Sequence, residues 1–222
     1  AQGFRVVIHY HNSEAQARAL AANLNADRPD SATLVQANLN HISDVLKLAE
    51  AAQKRWQRLD VLVNNASSFY PTPIGSATEQ QFDDLFGSNL KAPFFLAQAL
   101  APELKKNNGC MVNIADIHAE KPLKNHTLYC MAKAGNVMLT QSLARELAPD
   151  VRVNGIAPGA ILWPGDAAEL SDEAKQSILE KVALARTGEA DDIARTLVFL
   201  VTNAPYITGQ IIAVDGGRTL SH

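Results

Sequence analysis

A doubly wound α/β fold, with a parallel sheet sandwiched between two helical layers, is the class this sequence predicts. Three observations carry it. Short apolar runs such as RVVIHY, VLV and CMVNI alternate along the whole chain with longer stretches of helical periodicity. Those runs are bounded by polar turns, as strands buried on both faces are. The 222 residues, 47% hydrophobic and 19% charged, suffice for one globular domain with a substantial core.

In chain order, Arg5–Tyr10 reads as the first strand and Ser13–Asn25 as a Ser-capped helix rich in Ala and Leu. Thr33–Gln36 is a short strand. Ser43–Gln57 is a helix that sets Val45, Leu48, Ala49, Ala52 and Trp56 on one face. Val61–Val63 is a compact strand ending at Asn64-Asn65-Ala66. Glu79–Lys106 reads as one long helical region, with bends expected near Pro93 and Pro102 because proline removes a backbone donor. Cys110–Ile114 is a strand, Thr127–Leu147 a helix and Arg152–Ile156 a strand. Residues 160–187 are irregular, with a short helix starting near Ser171, and are expected to form a substrate lid within the domain. Asp191–Thr202 and Gln210–Val214 supply the last helix and strand.

Bulk properties exclude several classes. A net charge of −3 offers no basic field for nucleic acid or an anionic membrane surface. No apolar run approaches the ~20 residues of a transmembrane helix, and the N-terminus shows no signal-peptide pattern. Only Cys110 and Cys130 are present, so a disulfide scaffold is not indicated and a reducing, cytoplasmic compartment is expected. His9, His11, His118, His126 and His222 are too scattered for a metal site, and no metal is expected. Neither a Ser/His/Asp triad nor a G-x-S-x-G elbow occurs.

In open parallel sheets ligands sit beyond the carboxyl ends of the strands, and the residues that carry chemistry lie there. Tyr129 and Lys133, four apart on one helix, project from the same face. An ammonium there is expected to stabilise the phenolate and pull the Tyr pKa down, making a proton donor. Such a pair also arises on any amphipathic helix with an exposed Lys. Asp116 follows the strand Cys110–Ile114, where an acid is either functional or a turn and cap residue. His11, Asn12 and Ser13 follow the first strand. A dinucleotide site usually carries an acid at this point for the adenosine ribose. Here the nearest acid is Glu14, while a hydroxyl, an imidazole and helix N-terminal amides would welcome a 2′-phosphate. That favours NADP over NAD; the plain alternative is a Ser cap. Asn65, Ala66 and Ser67 follow the third strand, where small residues admit a nucleotide or simply make a turn. Phe69 is either a stacking platform or core. Asn89 is a candidate to order a water near Lys133, or a packed polar residue. Asn154 reads as structural, and Trp163 on the lid as a ligand cover or a packing residue.

Jointly these residues resemble the short-chain dehydrogenase/reductase family over essentially the whole chain, and so a Rossmann-like, three-layer fold. The carriers are NNA at Asn64–Ala66, YxxxK at Tyr129–Lys133, RVNGIAPG at Arg152–Gly159 and ITGQIIAVDGG at Ile207–Gly217. IHYHNS at Ile8–Ser13, NNASSFYPTP at Asn64–Pro73, Asp116 in the usual Ser position and LYCMAKA at Leu128–Ala134 are similar to pteridine reductases within that family. The resemblance implies NADPH-dependent reduction of pterins, dihydropterins and dihydrofolate. Tyr129, Lys133, Asn89 and Asp116 would then be catalytic. His11, Asn12, Ser13, Asn38, Leu39, Asn65, Ala66, Ser67, Tyr129, Lys133, Pro158 and Gly159 would face the cofactor. Ser67, Phe69, Asp116, Tyr129 and Trp163 would face the substrate, and a homotetramer is implied.

One departure stands out. The family begins with a strand and a Gly-rich turn that cradles the pyrophosphate, and neither precedes Arg5 here. Residues 1–222 are therefore expected to be an N-terminally incomplete reductase domain that, by itself, binds NADPH weakly or not at all. Two other functional readings compete. One is a short-chain reductase of another carbonyl or enoyl substrate. The other is a catalytically silent, cofactor-sensing or assembly protein.

Overall fold

The computed structural model describes residues 2–161 and 171–220. In order these form β1 (Val6–Tyr10), α1 (Glu14–Asp27), β2 (Ala32–Gln36), α2 (Ile42–Trp56), β3 (Val61–Asn64) and α3 (Glu79–Phe86). There follow α4 (Ala92–Lys106), β4 (Cys110–Ile114), α5 (Thr127–Glu146), β5 (Arg152–Pro158), α6 (Asp172–Leu179), α7 (Ala190–Thr202) and β6 (Ile211–Val214). Outside 79–106, the strands and helices fall within two residues of the bounds expected from periodicity. Ser13 does precede α1, but its side chain makes no capping bond to the helix.

The predicted long helix is instead α3 and α4 joined by a π-helical turn, Gly87–Lys91, in which the Ala92 amide donates to the Gly87 carbonyl. Proline explains where the ladder changes. Pro93 has no N–H to give the Asn89 carbonyl four residues back, and that carbonyl accepts from Asn136 Nδ2 at 3.0 Å instead. Pro102 is accommodated inside α4.

All strand pairs are parallel. The predicted sheet is present in two hydrogen-bonded pieces, β1–β2 and β3–β4–β5–β6. Between β1 and β3 lies a slot of about 1240 Å³, lined by those two strands and by residues of α1, α2, α4 and α7. Helices cover both faces. On one, α2, α4 and α5 bury Val45, Leu104 and Leu143 against Met111 and Val153. On the other, Leu200 of α7 packs on Cys110, Val112 and Ile156. The two-residue period of β4 sorts Met111 to one face and Cys110 and Val112 to the other. Both cysteines are free and buried. Among the described residues no helix is long and apolar enough to cross a membrane.

Buried and part-buried polar side chains pin the sheet to its neighbours. Asn64 Nδ2 donates to Asn113 Oδ1 at 2.8 Å, and Asn113 Nδ2 to Thr140 Oγ1 at 2.8 Å, tying β3, β4 and α5 together. Arg152 donates to the carbonyls of Leu200, Val201 and Ala204 at the end of α7, a favourable place for a cation. Asn154 bonds Ile207 and Gln210, a structural tie of β5 to the loop before β6. Asn113 has no exposed surface. Asn113→Leu strands the Asn64 amide and removes a bond to Thr140, which is expected to lower stability by about 2–4 kcal/mol. Urea denaturation checks this, and an unchanged midpoint would show that the ladder does not stabilise the fold.

Candidate active site

Most candidate residues are delivered by the end of a strand or the start of a helix, and Asn89 by the π-helical turn. Asp116 lies just past β4 and has extended backbone; its Oδ1 accepts from the His118 amide at 2.8 Å, capping a short 3₁₀ turn at Ile117–Ala119. Its other oxygen accepts from the Tyr129 hydroxyl at 2.6 Å. The cap and the chemical contact thus coexist in one carboxylate. Lys133 follows one turn after Tyr129 on α5. Its ammonium donates to the Ile114 carbonyl at 2.8 Å and lies 5.7 Å from the centre of the Tyr129 ring.

The electrostatics correct one expectation. Tyr129 is not lowered toward neutrality: burial first, and then the Asp116 carboxylate, push its pKa far up, while Ser67 pulls weakly the other way. Lys133 is pulled down to about 8 by burial, against the opposing attraction of Asp116. The phenol is therefore a firmly protonated donor, held by the acid rather than activated by the ammonium.

Phe69 lies on the loop after β3. It stacks on His126 with centroids 4.8 Å apart and planes at 16°, and meets Tyr129 edge-on at 4.8 Å. Ser67 Oγ donates to Asn89 Oδ1 at 2.7 Å, and Asn89 Nδ2 donates to the Ser68 and Leu85 carbonyls. Asn89 thus orders the loop that bears Phe69, and its carbonyl serves Asn136. His126 was not singled out from the sequence as an aromatic partner; it is the residue before α5, three positions ahead of Tyr129.

A second group of predicted residues gathers at the slot. His11, Asn12, Ser13, Leu39, Asn65, Ala66 and Ser67 all line it. Glu14, the nearest acid, is bonded to Arg18 at 2.6 Å. Asn38 accepts from the Asn40 amide at 3.0 Å in the turn beyond β2. Pro158 ends β5. Gly159 approaches the residue after β6 so closely that a Cβ would lie 2.6 Å from Asp215 Cα. Among the residues that line the slot, only Ser67 also belongs to the Phe69–Asp116–Tyr129 cluster. Ser67, which points to Asn89, is where the two regions meet. Trp163 lies outside the described residues. Among the described residues no three His, Cys, Asp or Glu side chains gather to hold a metal.

A family model described as enoyl-(acyl carrier protein) reductase matches residues 1–219. The chain is 38% identical over 262 aligned positions to pteridine reductase 1 of Leishmania tarentolae, covering all of this chain and 90% of that protein. It belongs to the short-chain dehydrogenase/reductase family. Other relatives include the 3-oxoacyl-(acyl-carrier-protein) reductase FabG of Staphylococcus aureus strain N315, 36% identical over 219 residues, covering 97% of this chain and 88% of that one. The FabG of Staphylococcus epidermidis strain ATCC 12228 is 35% identical, covering 97% and 89%. The chain is thus an oxidoreductase of a family that uses nicotinamide cofactors.

Proposed function

We propose that this protein reduces pterins and dihydropterins, and dihydrofolate as a further substrate, with NADPH as the hydride donor. The observation that carries the reading is the Asp116 carboxylate bonded to the Tyr129 phenol, at a position where many enzymes with this Tyr/Lys pair carry a Ser. Reducing a ketone builds negative charge on oxygen, which a neighbouring carboxylate opposes. Reducing a ring C=N instead needs a proton on nitrogen, and a pterin presents amino and ring N–H donors that a carboxylate accepts. Phe69, on the same loop as Ser67, gives a flat ring a stacking surface beside Tyr129.

The residues present suit a phosphorylated nicotinamide dinucleotide. The Ser13 hydroxyl is not used in capping, His11 and Asn12 stand exposed beside it, and Glu14 is occupied by Arg18. When bound, NADPH supplies the hydride to carbon. What the chain supplies is the proton and the pose. Tyr129 gives its proton to the ring nitrogen, Asp116 fixes the phenol and accepts from the substrate N–H groups, and Lys133 places a positive charge beside them. Asn89 holds Ser67 and the Phe69 loop. Asn38, Leu39, Asn65, Ala66, Pro158 and Gly159 line the cofactor side. The lid of this reading is residues 160–187, of which 162–170 lie outside the described residues; beside it the Gly188 amide donates to the Ala160 carbonyl at 2.9 Å. Exposed Phe94 on α4 and Met131 and Met138 on α5 support assembly into a homotetramer.

Lys133 implies a pH dependence. With its pKa lowered to about 8 in the unliganded protein, the ammonium is present below that pH and lost above it. Because kcat/KM reports ionisations of the free protein, kcat/KM for NADPH is expected to fall as pH rises through about 8. A profile flat to pH ~10 would show that the charge is not needed.

Reduction of a 3-oxoacyl substrate is the second reading, favoured by FabG relatives of nearly equal identity. NADPH oxidation with dihydrobiopterin, dihydrofolate and a panel of ketones and 3-oxoacyl thioesters separates the two, using protein that carries any residues preceding Ala1 in the cell. Turnover of the pterin is expected. Turnover confined to ketones or thioesters would defeat the first reading.

A further inference from the structure

We infer that Asp84 is a positioning residue that sets two walls of the candidate site, the turn after β2 and the loop after β3, from a single carboxylate. Its Oδ1 accepts from Asn40 Nδ2 at 2.8 Å, and its Oδ2 accepts from the Tyr70 hydroxyl at 2.9 Å. The two donors come from different loops. Asn40 belongs to the turn after β2 that carries Asn38 and Leu39, and its backbone N–H donates to the Asn38 side-chain oxygen. Tyr70 is the neighbour of Phe69 on the loop after β3. The Asp84 backbone adds a further link: its carbonyl accepts from Ser88 Oγ, which in turn accepts from the Ser68 amide.

The surroundings are built for this contact. α3 starts at a reciprocal capping box between Thr78 and Gln81, which fixes the helix that carries Asp84. One turn later Gly87 leaves room for Asn40: a Cβ there would lie 2.1 Å from Asn40 Oδ1. Burial, followed by Asp84, raises the Tyr70 pKa to about 12, so this donor keeps its proton at any assay pH. Asp84, Tyr70 and Asn40 are all half-buried, so their bonds are sheltered from the screening that weakens surface pairs. Asp84 meets none of the groups placed at the reaction. It acts through the two loops, and loosening it should therefore loosen both.

The inference rests on the NADPH and pterin reading only for what each wall holds. Asp84→Asn replaces one of the two acceptor oxygens by a donor, so the side chain accepts from Asn40 or from Tyr70 but not from both. Michaelis constants for NADPH and for the pterin are both expected to rise roughly 10- to 100-fold, with kcat nearly unchanged. Tyr70→Phe should raise only the pterin constant. Adding Asn40→Asp to Asp84→Asn swaps donor and acceptor, and should return the NADPH constant to within about 3-fold of the parent. Backbone hydrogen exchange on the protein without ligand gives a readout independent of substrate. Residues 37–41 and 67–73 should exchange faster in Asp84→Asn, and 37–41 should be protected again in the double variant. Unchanged exchange in both loops, or a double variant no better than the single one, would overturn the role of Asp84. Exchange as expected, in a parent protein that reduces no pterin, would leave Asp84 in place and remove only the substrate reading.

Discussion

Tyr129→Phe is expected to lower kcat for pterin reduction by roughly 10²–10⁴-fold, the range a positioned general acid supplies. The phenol is the sole group at this site that is both buried and held protonated by its surroundings, through burial and the 2.6 Å bond to Asp116. Removing one oxygen from a buried ring leaves the Phe69 edge contact and the α5 backbone in place. The loss should therefore appear in kcat with little change in the pterin Michaelis constant. Steady-state NADPH oxidation measures it. A variant retaining more than about a tenth of parental kcat would assign the proton to another donor, with Asp116 the nearest alternative.

Asp116→Ser is the more discriminating change, with pterin turnover expected to fall roughly 10²–10³-fold. A Ser can still cap the turn at His118, so the 3₁₀ segment should persist and the effect should report chemistry rather than folding. Without the carboxylate, the Tyr129 pKa should move back toward its ordinary value, since Asp116 is the largest influence on it after burial. A site so altered resembles the Ser-bearing arrangement of carbonyl reductases, and any turnover of ketones should hold or rise. Pterin turnover undiminished in this variant would sink the imine reading.

Much of this was legible in the residues. Strand and helix positions follow from periodicity because neighbours on one face of an element are fixed by its repeat. Tyr129 and Lys133 share a face for the same reason. That Asp116 and Phe69 join them follows from their place just beyond strands, since parallel strands deliver their carboxyl ends to one edge. The π turn was not legible as such. Pro93 marks where a helix loses a donor, but whether the chain bends there or shifts its ladder upstream depends on Asn136 of α5, which takes the freed carbonyl.

The direction of the Tyr129 shift was missed for a related reason. Sequence spacing reports which charges lie near a phenol along one helix, and by that measure Lys133 is its partner. The acid arrives from another strand, and burial is a property of the whole packing; these two outweigh the ammonium, which is turned to the Ile114 carbonyl. Tyr70, Asp84 and Asn40 are likewise 14 to 44 residues apart and share no local pattern. Alone, the sequence determined the order of elements, the edge of the sheet at which the candidate residues gather and the residue types available there, because these depend on local repeat and connectivity. Tertiary structure alone decided which of those groups are hydrogen-bonded and which loops a single carboxylate ties together, because these depend on distances between segments that no local repeat sets.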